Sequence, residues 1–164
     1  MITEQEQELI NELPIRFKIE HFGKDDPFTQ YALEKAKFFY NAQSEAHYQN
    51  RTNAHRKNRS WPEVVKDTYT GFYLEQHLVR YHNYVYNNKK WTDVKSPNGI
   101  EVELKSFSNG KEKNAIDNLR DNRSTKYNFV VTYKKTWENN VLYYTFASVY
   151  KYIDDDYKKV YAAN

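Results

Sequence analysis

Apolar residues in the first part of the chain recur at helical spacing. Thr3 and Glu6 stand three residues apart, as in a capping box, and predict the start of a short helix. The stretch 27–42 opens on Pro27 and carries apolar residues three or four positions apart, which predicts a second helix. Residues 43–60 are polar and show no period, so they predict a loop or a helix edge.

A long helix is predicted next, and the apolar period then changes to two. Ser60 is a suitable N-cap and Pro62 lies inside the first turn, so this helix should begin there and run to about Tyr86. The elements predicted after it are strands at Lys90–Lys95 and Ile100–Phe107, a helix at Lys111–Asn122, strands at Tyr127–Lys134 and Val141–Val149, and a short terminal helix over Lys151–Asn164. This order predicts one mixed α/β domain of the α+β class.

The turn Ser96-Pro97-Asn98-Gly99 determines which residues of the first two strands face each other. With the turn centred near Asn98, Asp93 should lie opposite Glu103 and Trp91 opposite Lys105. Because side chains alternate along a strand, Asp93, Glu101, Glu103 and Lys105 share one face. The other face belongs to the core and carries Val94, Ile100, Val102 and Leu104.

Two facing carboxylates suggest a metal site. Their Cβ atoms would lie about 5 Å apart, and like charges at that distance destabilise a sheet unless a cation offsets them. Oxygen ligands of this kind suit Mg²⁺, with Mn²⁺ able to substitute. Lys105 would hold a water or hydroxide and stabilise charge on a phosphate. The alternative is an exposed strand of alternating charges that includes a Lys–Glu pair.

Glu75 falls on the apolar side of the long helix. At about 100° per residue, it lies among Phe72, Leu78 and Val79. An ionised carboxylate on a buried face is costly unless it is paired or bound to a metal. Glu75 is therefore a candidate site residue, and a salt bridge within the fold is the alternative. His82 lies on the same face and is interpreted as a hydrogen-bonded core residue.

Composition narrows the classes of function. The 164 residues include no Cys, which excludes disulfides and thiolate metal sites, and 16 Tyr and 9 Phe must supply much of the core. No Gly-rich phosphate loop or nucleophile elbow is present. Asp154-Asp155-Asp156 is interpreted as a solvated turn. No apolar run is long enough for a signal peptide or a membrane span, so a soluble cytoplasmic protein is expected.

The charge of the chain is unevenly distributed. The first 50 residues carry 5 basic and 9 acidic side chains, and the remaining residues carry 20 and 13, for a net charge of +3. The positive charge thus accompanies the predicted site, as expected for a polyanionic substrate. Predicted phosphate contacts are Arg51, Arg56, Lys57 and Arg59, although such a run of charges is also typical of a solvated surface.

The residues 71–75 (Gly-Phe-Tyr-Leu-Glu), 91–94 (Trp-Thr-Asp-Val) and 101–105 (Glu-Val-Glu-Leu-Lys) resemble the PD-(D/E)xK nuclease superfamily. The resemblance implies a restriction-endonuclease-like core over 61–150, with a central mixed sheet of about four strands flanked by helices. Residues 1–60 would form a helical N-terminal extension and 151–164 a C-terminal tail. Thr92 stands where the name-giving proline would be.

The resemblance also implies roles for individual residues. Asp93 and Glu103 would be metal ligands, the Leu104 carbonyl a third oxygen, and Lys105 the residue that positions the nucleophile. Glu75 would contact the metal directly or through water.

The expected function is an endonuclease that hydrolyses DNA with Mg²⁺ and leaves a 5′-phosphate. RNA remains an open substrate, and double-strand cleavage would suggest a homodimer. Restriction, repair, recombination and phage-encoded attack on host DNA would all use this centre. One alternative is a nucleic-acid-binding or inhibitory module on a nuclease-like fold that does not cut. Another is an α/β domain that binds only proteins.

Overall fold

The structure is a computed structural model that describes residues 2–43, 59–87, 93–121 and 126–163. Its described helices are α1 (Glu4–Asn11), α2 (Pro27–Ala42), α3 (Trp61–Tyr81) and α4 (Glu112–Asp121). The predicted capping box of α1 is confirmed, because the Glu6 N–H donates to Thr3 Oγ1 at 3.1 Å and the Thr3 N–H donates to Glu6 Oε2 at 2.8 Å. Ser60 and Glu63 cap α3 in the same reciprocal way. α3 ends before the predicted Tyr86.

A seven-stranded sheet follows the order β1-β6-β5-β4-β3-β2, and β7 pairs with β6. The β4–β5 pair is parallel and the other pairs are antiparallel. The strands are β1 (Arg16–Lys18), β2 (Val85–Tyr86), β3 (Val94–Lys95), β4 (Glu101–Phe107), β5 (Phe129–Glu138), β6 (Val141–Ile153) and β7 (Asp156–Ala162). The α+β class is confirmed at this level, but the expected core of about four strands is too small.

The C-terminal segment is a strand, so the predicted terminal helix is wrong. Asp154 and Asp155 take positive φ values of 52° and 61°, which turns the chain back on itself directly after β6. The returning segment, β7, then pairs with the second half of β6, while β1 pairs with the first half. The length of β6, 13 residues, is what allows both strands to share it.

The described chain divides into two compact units. Residues 20–73 form one unit, which contains α2 and in which the ring of Phe28 packs edge to face on those of Tyr69 and Tyr73. Residues 1–19 and 74–164 form the other unit, which contains the sheet. None of the described helices is long and apolar enough to cross a membrane.

Both faces of the sheet carry buried side chains. On one face, Tyr133 and Tyr144 are fully buried and pack against Phe17, whose ring stacks on His77 of α3 with centroids 3.7 Å apart. On the other face, α4 packs its apolar side chains on the sheet. That second cluster consists of Ile116, Leu119, Tyr127, Val130, Tyr150 and Tyr157.

Candidate active site

The turn between β3 and β4 has the geometry that its sequence predicts. The Gly99 N–H donates to the Ser96 carbonyl at 2.8 Å, and Gly99 has a φ of +84°, which favours glycine. The buried Ser96 hydroxyl accepts from the Ile100 N–H at 3.1 Å. Val94 lies opposite Val102 and Lys95 opposite Glu101, so the predicted register is confirmed.

Asp93 lies one residue before β3 and is anchored to β4. The Leu104 N–H donates to Asp93 Oδ2 at 2.9 Å, and the Asn87 N–H donates to the Asp93 carbonyl at 3.2 Å. A side-chain hydrogen bond joins Asp93 to Glu103, which is only 7 % exposed. The two carboxyl groups are therefore neighbours, as the strand register predicts.

Burial gives these carboxyl groups unusual proton affinities. Desolvation, together with the charge of Asp93, raises the pKa of Glu103 to about 9. Burial also raises the pKa of Asp93, but the Leu104 N–H and the hydrogen bond from Glu103 act against this increase. Glu103, with a pKa of about 9, is therefore protonated at neutral pH and holds the proton that the pair shares.

Lys105 lies two residues beyond Glu103 on the same face of β4. Its Nζ is 3.6 Å from Glu103 Oε2, and its side chain is 37 % exposed. The ammonium group therefore contacts the buried pair while remaining accessible from solvent. That position would let a substrate phosphate reach the lysine without entering the core.

Glu75 comes to the site from α3. Its neighbours Leu74 and Leu78 are buried, and Glu75 itself is half-buried, which agrees with its predicted position on the apolar side. Desolvation and the charge of Asp93, opposed by that of Lys105, raise the pKa of Glu75 to about 8. These influences place Glu75 within electrostatic range of both Asp93 and Lys105.

Asp93 and Glu103 supply carboxylate oxygens, which are the ligand type that a hard divalent cation binds. Among the described residues, no group of three or more His, Cys, Asp or Glu side chains is gathered closely enough to hold a metal ion. A site here would rest on the Asp93–Glu103 pair, with remaining positions filled by the Leu104 carbonyl and by water, as Mg²⁺ commonly retains several waters. The proton that the pair shares without metal is the charge that a cation would replace.

The predicted nucleic-acid contacts are only partly described. Arg51, Arg56 and Lys57 lie outside the described residues. Arg59 is described, and its Nη1 forms an ion pair with Asp67 Oδ2 at 2.6 Å. The pair belongs to the unit formed by residues 20–73.

Two tyrosines near the pair were not predicted as site residues. Burial, together with the charges of Glu103 and Asp93, raises the pKa of Tyr127 to about 12, which indicates that its hydroxyl lies near both carboxyl groups. The Tyr127 N–H donates to the Tyr157 hydroxyl at 3.0 Å. The sequence places Tyr127 at the start of a predicted strand, which was the available signal for it. Tyr157 lies in β7, which was not predicted.

A polar cluster lies beside Lys105 on the neighbouring strand. Thr132 is opposite Lys105, and its hydroxyl donates to Glu112 Oε2 at 2.8 Å. Glu112 Oε1 accepts from Lys159 Nζ at 3.1 Å. The carboxylate of Glu112 is therefore already paired and supplies no open ligand to the site.

A separate cavity of about 530 Å³ lies elsewhere in the same unit. It is lined by residues 11–14, 81–83 and Pro97, and by none of the four candidate site residues. His82, interpreted from the sequence as a core residue, lines this cavity and packs against His77 with ring centroids 5.2 Å apart. The candidate chemistry therefore lies at the β3–β4 hairpin and not in the cavity.

Three comparisons of the chain with known proteins found no match. No protein-family model matches the chain. No curated protein matches it either, and no solved structure does. The case for a function rests on the residues and their geometry.

Proposed function

We propose that the chain is a metal-dependent endonuclease that hydrolyses phosphodiester bonds in DNA. The observation that supports it is the buried Asp93–Glu103 pair with the Lys105 ammonium 3.6 Å from Glu103. Two carboxyl groups and a lysine lie on one face of the β3–β4 hairpin, and a backbone N–H holds the carboxylate of Asp93. This is the set of groups that a metal-assisted phosphodiesterase would use. The resemblance of these residues to the PD-(D/E)xK nucleases adds to the proposal.

In this proposal each residue has a separate task. Asp93 and Glu103 would hold Mg²⁺ with the Leu104 carbonyl, and Glu75 would contact it directly or through water. The bound ion would supply a Lewis acid and a water of lowered pKa. Lys105 would orient the attacking water and stabilise the negative charge of the phosphate. The water oxygen bonds to phosphorus as the P–O3′ bond breaks, which leaves a 5′-phosphate and a 3′-hydroxyl.

The test is cleavage of supercoiled plasmid by the purified protein with Mg²⁺ or Mn²⁺, with and without chelator. Glu103→Gln should abolish cutting. Glu101→Gln is the matched control, because Glu101 lies on the same strand and face but outside the pair, and it should still cut. Equal activity of wild type and Glu103→Gln, or activity that survives the chelator, would refute the proposal.

A non-catalytic nucleic-acid-binding or inhibitory module on a similar fold is the second candidate. One observation favours it: Glu103 is protonated at neutral pH and the Lys105 ammonium lies 3.6 Å from it, so the charge of the pair is partly offset without a metal. The same assay separates the two functions. A protein that binds DNA under every divalent ion and never cuts it belongs to the second class.

A further inference from the structure

The sheet face that carries Glu103 and Lys105 extends well beyond the candidate site. Paired residues on neighbouring strands project to the same side of a sheet. Lys105 lies opposite Thr132, and Phe107, two residues further along β4, lies opposite Lys134 of β5. Lys134 thus projects from the same face as Lys105.

The same register continues across β6 to β1. Lys134 lies opposite Thr145, which lies opposite Arg16. One step further along, Tyr143 lies opposite Lys18. A bulge between the pairs 132–148 and 133–146 puts the extra residue in β6, so the alternation of side chains along β5 is unbroken. We call the resulting surface the basic face, which consists of Lys105, Lys134, Arg16, Lys18 and Tyr143.

The basic face is open to solvent. Its five members are half-exposed or exposed, whereas the residues that alternate with them, such as Phe17, Tyr133 and Tyr144, are buried on the opposite side. The apolar residues of α4 pack on Val130 and Tyr150, which lie further along the strands. The helix therefore covers one half of this side of the sheet and leaves the basic half uncovered.

The basic face carries four cations, of which two form ion pairs. Within the described residues, Lys18 and Lys134 form no ion pair. Arg16 is paired with Glu138 through its Nη2, and its guanidinium lies over the Tyr143 ring, 3.9 Å from the ring centre. Lys105 is paired with Glu103, so Lys18 and Lys134 supply the unpaired positive charge of the face. The contact with Tyr143 and Glu138 holds the Arg16 guanidinium in a fixed orientation.

The spacing of these cations suits a polyanion with regular charges. Four strands set about 4.8 Å apart, with a step of two residues along them, put Arg16 roughly 16 Å from Lys105. A DNA strand carries a phosphate for about every 3.4 Å of helix axis, so the basic face would span four to five phosphates. The row of cations begins at Lys105, where the scissile phosphate would lie.

We propose that the basic face binds the phosphodiester backbone of the nucleic acid that the candidate site would cut, which rests on the function proposed above. The backbone would run from Lys105 past Lys134 to Arg16 and Lys18. Contacts of this kind position a substrate without reading its sequence. The residues of the basic face are not those for which the sequence predicted phosphate contacts, and of that set Arg51, Arg56 and Lys57 lie outside the described residues.

The experiment compares the double variant Lys18→Gln/Lys134→Gln with Lys135→Gln, the residue next to Lys134 that projects from the opposite face. Binding is measured in chelator by fluorescence anisotropy with labelled single-stranded DNA, duplex DNA and single-stranded RNA of equal length. The double variant should bind about tenfold more weakly at 0.1 M salt, and the salt slope should fall by roughly two. Lys135→Gln should stay within about twofold of wild type.

The three probes identify which nucleic acid supplies the backbone, because the double variant should lose most affinity for the nucleic acid that the basic face binds. If the double variant binds all three probes as tightly as wild type and wild type still cuts plasmid, the basic face is not the binding surface. The nuclease proposal would then stand. Binding that depends on the basic face, in a protein that never cuts under Mg²⁺ or Mn²⁺, would overturn the nuclease proposal instead.

Discussion

At the scale of single residues, the site is defined by carboxyl groups whose affinity for protons is raised by burial. Asp93 accepts from the Leu104 N–H, which favours its charged form and opposes the rise in pKa that burial causes. Glu103 is buried beside the charge of Asp93, which is why its pKa rises to about 9. A divalent ion at this pair would have to displace the Glu103 proton, so metal affinity should increase with pH up to about pH 9.

Glu103→Gln tests whether the pKa of Glu103 is raised. The amide is neutral, like the protonated acid, so the metal-free variant should fold and be at least as stable as wild type at pH 7. A carboxyl with a raised pKa contributes stability at low pH and loses it as the pH rises through the folded-state value. The advantage of the variant in thermal unfolding should therefore widen between about pH 5 and 9. Calorimetry should show that Mg²⁺ binding is lost in the variant and retained in Glu101→Gln.

His77 produces the opposite pH dependence. Burial lowers its pKa to about 4, and the nearby His82 contributes to the shift. Between pH 6.5 and 4 the unfolded chain binds the proton more readily, so stability should fall as the pH falls, by at most about 1.4 kcal/mol per pH unit for one proton. His77→Phe should reduce that acid sensitivity while keeping the stack on Phe17. Identical urea-unfolding profiles of the two proteins from pH 7 to 4 would contradict the assignment.

At the scale of elements, predictions succeeded where the signal is local. The Thr3–Glu6 and Ser60–Glu63 caps and the Pro27 start define helices from neighbouring residues alone, and all three are present. β1 was missed because three residues carry no measurable period, and it exists through its pairing with β6. β7 was missed because its turn depends on positive φ at Asp154 and Asp155, which composition does not reveal.

The site was predictable to a similar degree. The turn at Pro97–Gly99 determines the register, and the register brings Asp93 and Glu103 together whatever the rest of the fold does. Burial depends on packing between distant segments. The shared proton and the tyrosines beside it therefore could not be inferred from the strand pattern alone.

Two glycines offer a test of backbone requirements in these elements. Gly99 has φ +84° in the hairpin turn, so Gly99→Ala should cost about 1–2 kcal/mol of unfolding free energy and disturb the register. Gly71 lies inside α3 with nothing within 4 Å of an added Cβ, so Gly71→Ala should stabilise the protein by about 0.5–1 kcal/mol. Urea unfolding of both variants measures the difference. Equal effects would show that the turn does not require a positive φ.

At the scale of the whole molecule, the candidate centre and the basic face belong to the same unit. Glu75, Asp93, Glu103 and Lys105 all fall within residues 74–164, and β1, which supplies Arg16 and Lys18, falls within residues 1–19 of that unit. Lys105 belongs both to the centre and to the basic face. Substituting Lys105 can therefore separate an effect on affinity for a polyanion from an effect on the rate of its hydrolysis.

Lys105→Ala decides between an enzyme and a binding module. If Lys105 stabilises the transition state, the variant should lose about 10²–10³-fold in single-turnover cleavage. Because three other cations of the basic face remain, its affinity for DNA should change much less. Lys18→Gln/Lys134→Gln should behave in the reverse way, with weaker binding and an almost unchanged rate for bound substrate. Gel shifts at several salt concentrations, run beside single-turnover cleavage, give both quantities for each variant. Comparable losses of affinity and rate in both variants would mean that Lys105 is one more phosphate contact, and hydrolysis would then need another residue.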